Sequence, residues 1–423
     1  MPSNPIPTTR RRFLASFLSL AAAPAEGFSL FGKKRARDLG KVYEYLKDAD
    51  LRLMEAGRQR ITIKNAYFSD EKFSDQWWYF DFVDCEFTGQ YIISLGWLGN
   101  CTFTNCNFNG IFGFGSGVDT KFLRCSVKGE SILSFGKATL DSTVFEQCSF
   151  VNTLRDHNHV GAIMCHGEIL FIDCKAEGFA LKGSKKLTLH HCTTISAELN
   201  SATPGIFSDV SQMPYSDFLL ENCDFTRGVD ATDLELNNFT MRNCKVGVFE
   251  TVGSTSLGDV LIENIKVGHV KISASDFQGK LTVKNCSFFT PYKGHSFRCG
   301  GCVPTHTLLE NLTCSTNPVD VVSTYGPRTE WKDPPPNKSF IIRNCDIPHL
   351  HVDWAQTEHL RIENCTFDTL LIRNGRIGKL EIIDCSLKKL DVSNTQVKEQ
   401  NIRIPKGCDT LATGSNLKWL PAE

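Results

Sequence analysis

The sequence predicts an all-β solenoid, in which the chain winds into stacked coils of short parallel strands. Three observations predict this fold class: a period near 20 residues, a five-residue step inside that period, and an Asn/Asp-Cys pair that recurs at one phase of it. A fixed period of this length is typical of solenoids, because one coil cannot bury its inner face alone and stacked coils can.

The period is marked by the Asn/Asp-Cys pair. The pairs that begin at residues 344, 364 and 384 follow one another at intervals of 20 residues. Those that begin at 222, 243, 264 and 285 follow at intervals of 21 residues, with Ile265 once in the place of Cys. Asn tolerates the backbone conformation of a corner, and its amide can bond the Asn of the next coil. We therefore expect each Asn at a corner and each Cys in the core.

A five-residue step lies inside the period. From Leu360 onward, apolar or small residues occupy positions one, three, six and eight of each ten-residue segment. Inward positions two residues apart indicate a strand, and a break in the alternation every five residues indicates a corner. Four such steps form one coil of about 20 residues, and the Val, Ile, Thr and Phe between corners favour strands.

The pattern resembles right-handed parallel β-helices. The small-x-large inward pairs at 365–367 and 385–387 are similar to those of pentapeptide-repeat proteins, and the turn at 362–365 is similar to turns of pectate-lyase-like β-helices. The resemblance covers residues 60–405 and implies an all-β, right-handed parallel β-helix. The length of this segment, less the interruptions of the repeat, allows roughly 14 coils. It implies no single activity, because solenoids host many functions.

The first 25 residues predict an export signal. Residues 9–14, TRRRFL, resemble the twin-arginine motif, and an apolar run at 13–23 is too short to span a bilayer. Residues 23–25, APA, are typical of a signal-peptidase site. We therefore expect a periplasmic protein that has no transmembrane anchor once the signal is removed.

The charge balance excludes some partners. Removal of the signal takes three Arg and no acidic residue, which leaves 43 basic and 47 acidic residues. This balance favours neither a nucleic acid nor an anionic membrane surface as partner.

The repeat divides the chain into four segments. They are the signal peptide at 1–25, a linker and capping helix at 26–59, the parallel β-helix at 60–405, and a C-terminal cap or tail at 406–423. The apolar residues of 38–56 fall on one side of a helix, which would cover the first coil. The repeat is interrupted near 151–165, 196–216, 289–312 and 315–338. Insertions in a solenoid form surface loops, and loops carry function.

Eighteen Cys in an exported protein normally suggest disulfides. Thirteen of them share the repeat phase, so we expect reduced, buried and unreactive thiols. The thirteen are Cys85, Cys101, Cys106, Cys125, Cys148, Cys174, Cys192, Cys223, Cys244, Cys286, Cys345, Cys365 and Cys385. The five that lie outside the phase and are open to other roles are Cys165, Cys299, Cys302, Cys314 and Cys408.

The first insertion holds the candidate catalytic residues, Arg155, Asp156, His157, His159 and His166. His157 and His159 would share one side of a strand and, with Asp156, could bind a metal or supply a base and an acid. A β-helical polysaccharide lyase needs a base at the sugar C5 proton and a cation beside the enolate. A solvated polar loop explains the same residues.

The third insertion holds His295, Cys299, Cys302 and His306 as H-x3-C-x2-C-x3-H. These are zinc-ligand types near zinc-ligand spacing, and a divalent metal is the cofactor that they suggest. A Cys299–Cys302 disulfide, which an oxidising periplasm favours, and plain thiols in a Gly-rich turn are the alternatives.

The fourth insertion holds Tyr325, Arg328 and Trp331. Aromatic rings beside an Arg suit carbohydrate contact. They suit packing of the insertion against the solenoid wall equally well.

Two classes of function follow. Regular coils, a near-neutral surface and the lack of a recognised catalytic motif favour an exported cell-envelope solenoid that acts as a binding or scaffold protein for a polysaccharide or an envelope protein. The alternative is a polysaccharide-modifying enzyme, a lyase or hydrolase that acts on an acidic glycan. The enzyme requires the long loops to converge on one groove.

Overall fold

The protein is an all-β parallel solenoid in the residues that its computed structural model describes, and the strand pairs in them are parallel. These residues are 29–30, 60–69, 77–88, 93–110, 112–128, 133–135, 142–151, 162–164, 168–182, 186–200, 216–232, 235–252, 256–273, 276–289, 296–300, 304–314, 318–323 and 337–417. They contain no helix, and hence none long and apolar enough to cross a bilayer. The chain divides into two compact units, residues 1–175 and 176–423.

Each unit contains two ladders of parallel strands. Ladder A precedes the left-handed corner of each coil, which is usually Asn or Asp, and ladder B follows it. In the first unit, ladder A consists of Ser29–Leu30, Ile61–Lys64, Phe80–Val83, Thr102–Thr104, Thr120–Leu123, Ser142–Glu146 and Glu168–Ile172. Ladder B consists of Tyr67–Ser69, Trp77–Trp78, Glu86–Thr88, Ile93–Gly99, Asn107–Asn109, Phe112–Val118, Ser126–Lys128, Leu133–Phe135, Ser149–Val151 and Ala162–Met164, and the strand Lys175–Lys182 begins at the unit boundary.

The second unit repeats the arrangement with longer strands. Its ladder A consists of Lys186–His190, Ser216–Glu221, Glu235–Arg242, Ser256–Glu263, Asp276–Phe277, Lys280–Lys284, His306–Glu310, Ser339–Arg343, Gln356–Glu363, Arg376–Ile383 and Gln396–Ile402. Its ladder B consists of Thr193–Asn200, Asp224–Thr232, Lys245–Val252, Lys266–Ser273, Ser287–Phe288, Phe297–Gly300, Thr313–Cys314, Pro318–Ser323, His349–Asp353, Thr366–Arg373, Ser386–Ser393 and Asp409–Leu411. The predicted total of roughly 14 coils is not confirmed.

Burial in the second unit follows the predicted five-residue step. Leu360, Ile362, Cys365, Phe367 and Leu370 are all buried, and the same spacing of buried residues continues to Val397. Two inward positions per step therefore line the core on every side of the coil, which confirms the interpretation of the sequence pattern.

The core of the first unit is built on stacked phenylalanines. Phe82, Phe103, Phe122, Phe145 and Phe171 occupy one position of successive ladder A strands. Neighbouring ring centroids lie 4.8, 4.8, 4.7 and 4.8 Å apart, and the rings are within 12° of parallel. The spacing of parallel strands, about 4.8 Å, sets this stacking.

The corners are held by left-handed Asn residues. The φ angles of Asn243, Asn264 and Asn285 are all 55°. The Asn264 amide donates to the Asn243 side-chain oxygen at 3.2 Å, and the Asn311 amide donates to that of Asn285 at 2.6 Å. Asn accepts this conformation at lower cost than most residues. Both predictions for Asn are confirmed: Asn occupies the corner, and its side-chain amide bonds the Asn of the neighbouring coil.

The thirteen in-phase Cys are buried, as predicted. Most of their thiols donate to main-chain oxygens of the preceding coil, as Cys125 does to Phe103 at 3.3 Å and Cys365 to Ile342 at 3.8 Å. Cys299 and Cys314, which lie outside the predicted phase, are core residues as well, and each pairs with an inward position of the preceding coil. Cys408 is half-exposed, and Cys165 and Cys302 lie outside the described residues.

The predicted insertions at 289–312 and 315–338 are too long. Phe297–Gly300 pairs with Lys266–Ser273, and His306–Glu310 pairs with Lys280–Lys284, so the coils continue inside the predicted insertion. Pro318–Ser323 likewise pairs on ladder B. The sequence hid these coils because Leu312 takes the place of Cys after Asn311.

The ladder A strand Ile61–Lys64 and the last described strand of ladder A have covered edges. Ser29–Leu30 pairs with Ile61–Lys64. At the other end, the Asn416 amide donates to the Val397 oxygen at 2.7 Å, and the Asn416 oxygen accepts from the Val397 N–H at 2.8 Å. Capping of this kind satisfies backbone groups that an edge strand leaves unpaired. The predicted signal peptide, the helix at 38–56 and residues 418–423 lie outside the described residues.

Candidate functional site

Most of the predicted site residues lie outside the described residues and stay predictions. These are Arg155, Asp156, His157, His159, His166, His295, Cys302, Tyr325, Arg328 and Trp331. Whether the insertions converge on one groove is therefore untested.

The predicted metal pattern has two described members, and they do not face each other. Cys299 points into the core from ladder B, whereas His306 is half-buried on ladder A, where its ring contacts a Ser side chain. Among the described residues, no group of three or more His, Cys, Asp and Glu is arranged to hold a metal ion. The full pattern stays a prediction, because His295 and Cys302 are not described.

A line of polar side chains crosses ladder A of the second unit, with one residue per coil. We call Lys280, His306, Ser339, His359 and Lys379 the axial column. The strand register pairs Lys280 with His306, His306 with Ser339, and His359 with Lys379. Phe340 pairs with Leu360, so the residues that precede them, Ser339 and His359, are neighbours too. Adjacent members are therefore about 4.8 Å apart along the ladder.

His306 and Ser339 hold each other in the middle of the column. The His306 Nδ1 atom lies 2.8 Å from the Ser339 Oγ atom, and both side chains are half-buried. The sequence prediction included His306 but not Ser339. The sequence does not single out Ser339. The segment between His306 and Ser339 has no recognisable repeat spacing, so the register across it could not be predicted.

Glu381 lies beside the column, on the same strand as Lys379 and paired with Arg361, and it anchors the column. Its side chain is only 8 % exposed, and its carboxylate lies 2.6 Å from His359 Nε2, 3.0 Å from Lys379 Nζ and 3.8 Å from Arg361 Nη1. The hydrogen bond from Lys379 lowers the pKa of Glu381, against burial, which would raise it, and His359 lowers it further. The carboxylate is therefore ionised at neutral pH and fixes the positions of His359 and Lys379.

A second line of side chains alternates in charge. This charge column occupies the position before each Asn/Asp corner of ladder A, and successive members are paired by the strand register. Its members are Glu221, Arg242, Glu263, Lys284, Glu310, Arg343 and Glu363.

The charge column largely neutralises itself. Arg242 pairs with Glu221 at 2.5 Å, Lys284 with Glu263 at 2.8 Å, and Arg343 with Glu310 at 2.6 Å. The alternation is visible in the sequence as the residue before each Asn, so sequence reasoning missed a signal that was present. The charge column therefore offers a partner little unpaired charge.

The axial column presents cations and hydrogen-bonding groups toward solvent. Lys280 is exposed, and Lys379 is half-exposed although it pairs with Glu381. In the register the column lies between two acids, Asp259, which precedes Lys280, and Glu399, which follows Lys379. From Lys280 to Lys379, each coil thus offers one side chain that can contact an anionic or hydroxyl-rich ligand.

Comparison of the chain with protein-family models, with curated proteins and with solved structures finds no match. The assignment as a parallel β-solenoid accordingly rests on the strand pairing and burial described above.

Proposed function

We propose that the protein is an exported solenoid of the cell envelope that binds an acidic polysaccharide along the axial column. The observation that carries the proposal is the spacing of the column, with one cationic or hydrogen-bonding side chain on each coil from Lys280 to Lys379.

The geometry of the column suits a linear polymer. Parallel strands repeat about every 4.8 Å, so an extended chain that lies along the ladder meets the next polar side chain after each coil. Charge-assisted hydrogen bonds to carboxylates are stronger than neutral ones, and several weak contacts on one polymer add through multivalency.

The N-terminus and the core support the export part of the proposal. Residues 9–14 resemble the twin-arginine motif, and the in-phase Cys are buried. Thiols that are buried before the protein reaches an oxidising compartment are protected from disulfide formation. The resemblance to pectate-lyase-like β-helices supports a polysaccharide as the partner and a right-handed coil.

A titration with short glycans tests the binding proposal. We expect hexagalacturonic acid to bind, measured by calorimetry at low ionic strength, and binding to weaken as salt is added. Replacing both Lys280 and Lys379 by Gln should weaken binding about tenfold, since two charge-assisted contacts are lost.

The matched control is Lys398→Gln, because Lys398 is exposed on ladder A but lies outside the column. This variant should bind like the wild type. Equal binding by the Lys280/Lys379 variant, or equal binding of a neutral hexasaccharide such as maltohexaose, would contradict the proposal.

An acidic-polysaccharide lyase or hydrolase is the second candidate. Glu381 contacts both His359 and Arg361 on this wall. His359 could act as the base and Arg361 as the neighbouring cation, and β-elimination next to a carboxylate requires both. The same glycan, incubated with the protein, should then yield unsaturated ends for a lyase or new reducing ends for a hydrolase. His359→Gln should abolish either product, and an uncleaved glycan excludes the enzyme for this substrate.

A further inference from the structure

The outward face of ladder A in the second unit has an uncharged line of residues along its middle. On the coils from Glu221 to Arg343, the residue two positions before each member of the charge column is Leu, Ile or Thr, and each is half-buried. The strand register pairs these residues in succession, and we call them the central column. Its members are Leu219, Thr240, Leu261, Thr282, Leu308 and Ile341. On the next coil a charged residue, Arg361, takes this position.

The central column lies between two polar edges. The charge column forms one edge, and its Arg242 and Arg343 side chains stay 43 % and 41 % exposed although each pairs with a Glu. On the other edge, Asp217, Asn238 and Asp259 occupy the coils before the axial column begins. A strand face that meets only water is normally polar, and an uncharged centre inside a polar rim is typical of a protein interface.

The order of the charges indicates which partner fits this face. Acid and cation alternate from coil to coil in the charge column, so a reversed copy of the column has the opposite sign at each coil if the point of reversal lies between two coils. For a point midway between the Glu263 and Lys284 coils, every acid faces a cation. The facing pairs are Glu263 with Lys284, Arg242 with Glu310, and Glu221 with Arg343. On the other edge, Asp259 likewise faces Lys280.

We propose that this face is the interface of a homodimer, in which a second copy of the chain packs face to face and antiparallel. The twofold axis runs along the strands, midway between the Glu263 and Lys284 coils. The same axis sets the two central columns against each other, and the facing pairs are Leu261 with Thr282, Thr240 with Leu308, and Leu219 with Ile341. Packed sheets lie about 10 Å apart, which lets such side chains meet.

Other twofold arrangements place like charges opposite each other. An axis on the Lys284 coil would set Glu263 against Glu310. An axis along the solenoid would set the charge column against the other edge, with Glu263 facing Asp259 and Lys284 facing Lys280. Like charges that face each other across an interface disfavour it. The alternation therefore favours the antiparallel dimer with its axis between coils.

The face is large enough for a dimer. Eight coils overlap in this arrangement, from the strand Lys186–His190 to the strand Gln356–Glu363. At about 4.8 Å per coil and about 3.3 Å per residue over five residues, the two copies together bury about 1,200 Å². This area is at the lower end of the range for specific interfaces, so we expect a dissociation constant in the micromolar range.

The dimer goes beyond the proposed glycan binding and does not rest on it. A second copy in this position covers the axial column, so the second copy and a glycan on that column exclude each other. The dimer is therefore tested without glycan, and its failure leaves the glycan titration unaffected.

Sedimentation velocity at increasing protein concentration measures the dimer. We expect Leu261→Lys to weaken it at least about tenfold, because the variant places a charge in the uncharged centre, once in each copy. Leu371→Lys is the matched control, since Leu371 is half-buried on the ladder B strand Thr366–Arg373, and it should dimerise like the wild type. Circular dichroism checks that each variant is folded.

Exchange of one charge pair tests the register. Glu221→Arg alone and Arg343→Glu alone each set like charges opposite each other, so each should dimerise more weakly than the wild type. A mixture of the two variants should restore the dimer, because residues 221 and 343 then face each other with opposite charge in both contacts. This test stands if Leu261→Lys does not fold, and the reverse also holds.

A wild-type protein that stays monomeric up to about 100 μM would overturn the dimer. So would a Leu261→Lys variant that dimerises like the wild type, or folded charge variants that do not dimerise better as a mixture than alone. If the wild type is monomeric and Leu261→Lys weakens binding of hexagalacturonic acid, the central column contacts the glycan and not a second copy.

Discussion

Cysteine is suited to the inward corner position because it is small, apolar and able to donate one weak hydrogen bond. Its thiol reaches a carbonyl of the preceding coil, as Cys148 reaches the Phe122 oxygen at 3.3 Å. Burial raises the pKa of Cys101 to about 12 and that of Cys286 to about 11. The thiols of Cys101 and Cys286 therefore stay protonated at neutral pH, and their reactive thiolates do not form.

We predict that Cys365→Asp destabilises the protein by about 3 kcal/mol or more, because it places an unpaired charge in the stacked core. Cys365→Ala should cost only about 1 kcal/mol, since it removes one small buried atom. Urea unfolding followed by circular dichroism measures both values. Similar costs for Asp and Ala would show that position 365 is not enclosed in solution.

At the scale of strands, ion pairs hold neighbouring coils in register. A slip of one residue would turn the inward residues of a strand outward, and it would also misalign the charge column. Like charges directly opposite each other on adjacent strands destabilise a sheet, so the alternation from Glu221 to Glu363 favours the observed coil order.

The strand Ser386–Ser393 carries the clearest pH-dependent element, Asp391. Burial would raise the pKa of Asp391, but the Ser393 hydroxyl and the Arg373 guanidinium together lower it below its usual value. The folded state therefore binds this proton less readily than the unfolded chain, whose pKa is about 3.9. The resulting stability is present above about pH 4 and is lost as pH falls through the folded pKa.

We predict that Asp391→Asn lowers the free energy of unfolding at pH 7 and makes it less dependent on pH below about pH 5, because the variant no longer has this titration. Urea midpoints measured across the acid range for both proteins test this. Asp368→Asn is the control, because Asp368 is exposed and its ion pair with Lys388 should contribute little. Parallel curves for Asp391→Asn and the wild type would contradict the prediction.

At the scale of the whole molecule, the two units build their cores differently. The first unit stacks Phe on Phe, whereas the buried positions between 337 and 417 are mainly Leu, Ile and Val. Both units share the Asn/Asp corner and the buried Cys beside it. One repeat thus accepts two kinds of core, provided that the small corner position is kept.

Export is a prediction about the whole chain. If residues 9–14 are a twin-arginine signal, Arg10→Lys together with Arg11→Lys should trap the precursor in the cytoplasm. Cell fractionation followed by immunoblotting measures this, with Arg12→Lys as the matched control. Unchanged export of the double variant would refute the route, although not the fold.

The sequence by itself determined which residues of a coil face the core and which form its corners, because these properties depend on local sequence. Inward and outward positions alternate along a strand, so the five-residue step indicated that Leu360, Ile362 and Cys365 are buried before any contact was known. The conformational preference of Asn located the corners, and the phase of Cys showed that these thiols line the core.

Only the tertiary structure decided which outward side chains become neighbours. His306 and Ser339 meet although a stretch without repeat signal separates them, because core packing sets the register on either side of it. The buried residues Ser296 and Cys314 also meet only in the fold, with their Oγ and Sγ atoms 3.2 Å apart. The residues of an insertion do not follow the repeat. The sequence therefore does not show at which residue the next strand of the coil begins. The left-handed backbone of Trp354, with a φ angle of 60°, was equally hidden, because the stacked coils impose it against the preference of the residue.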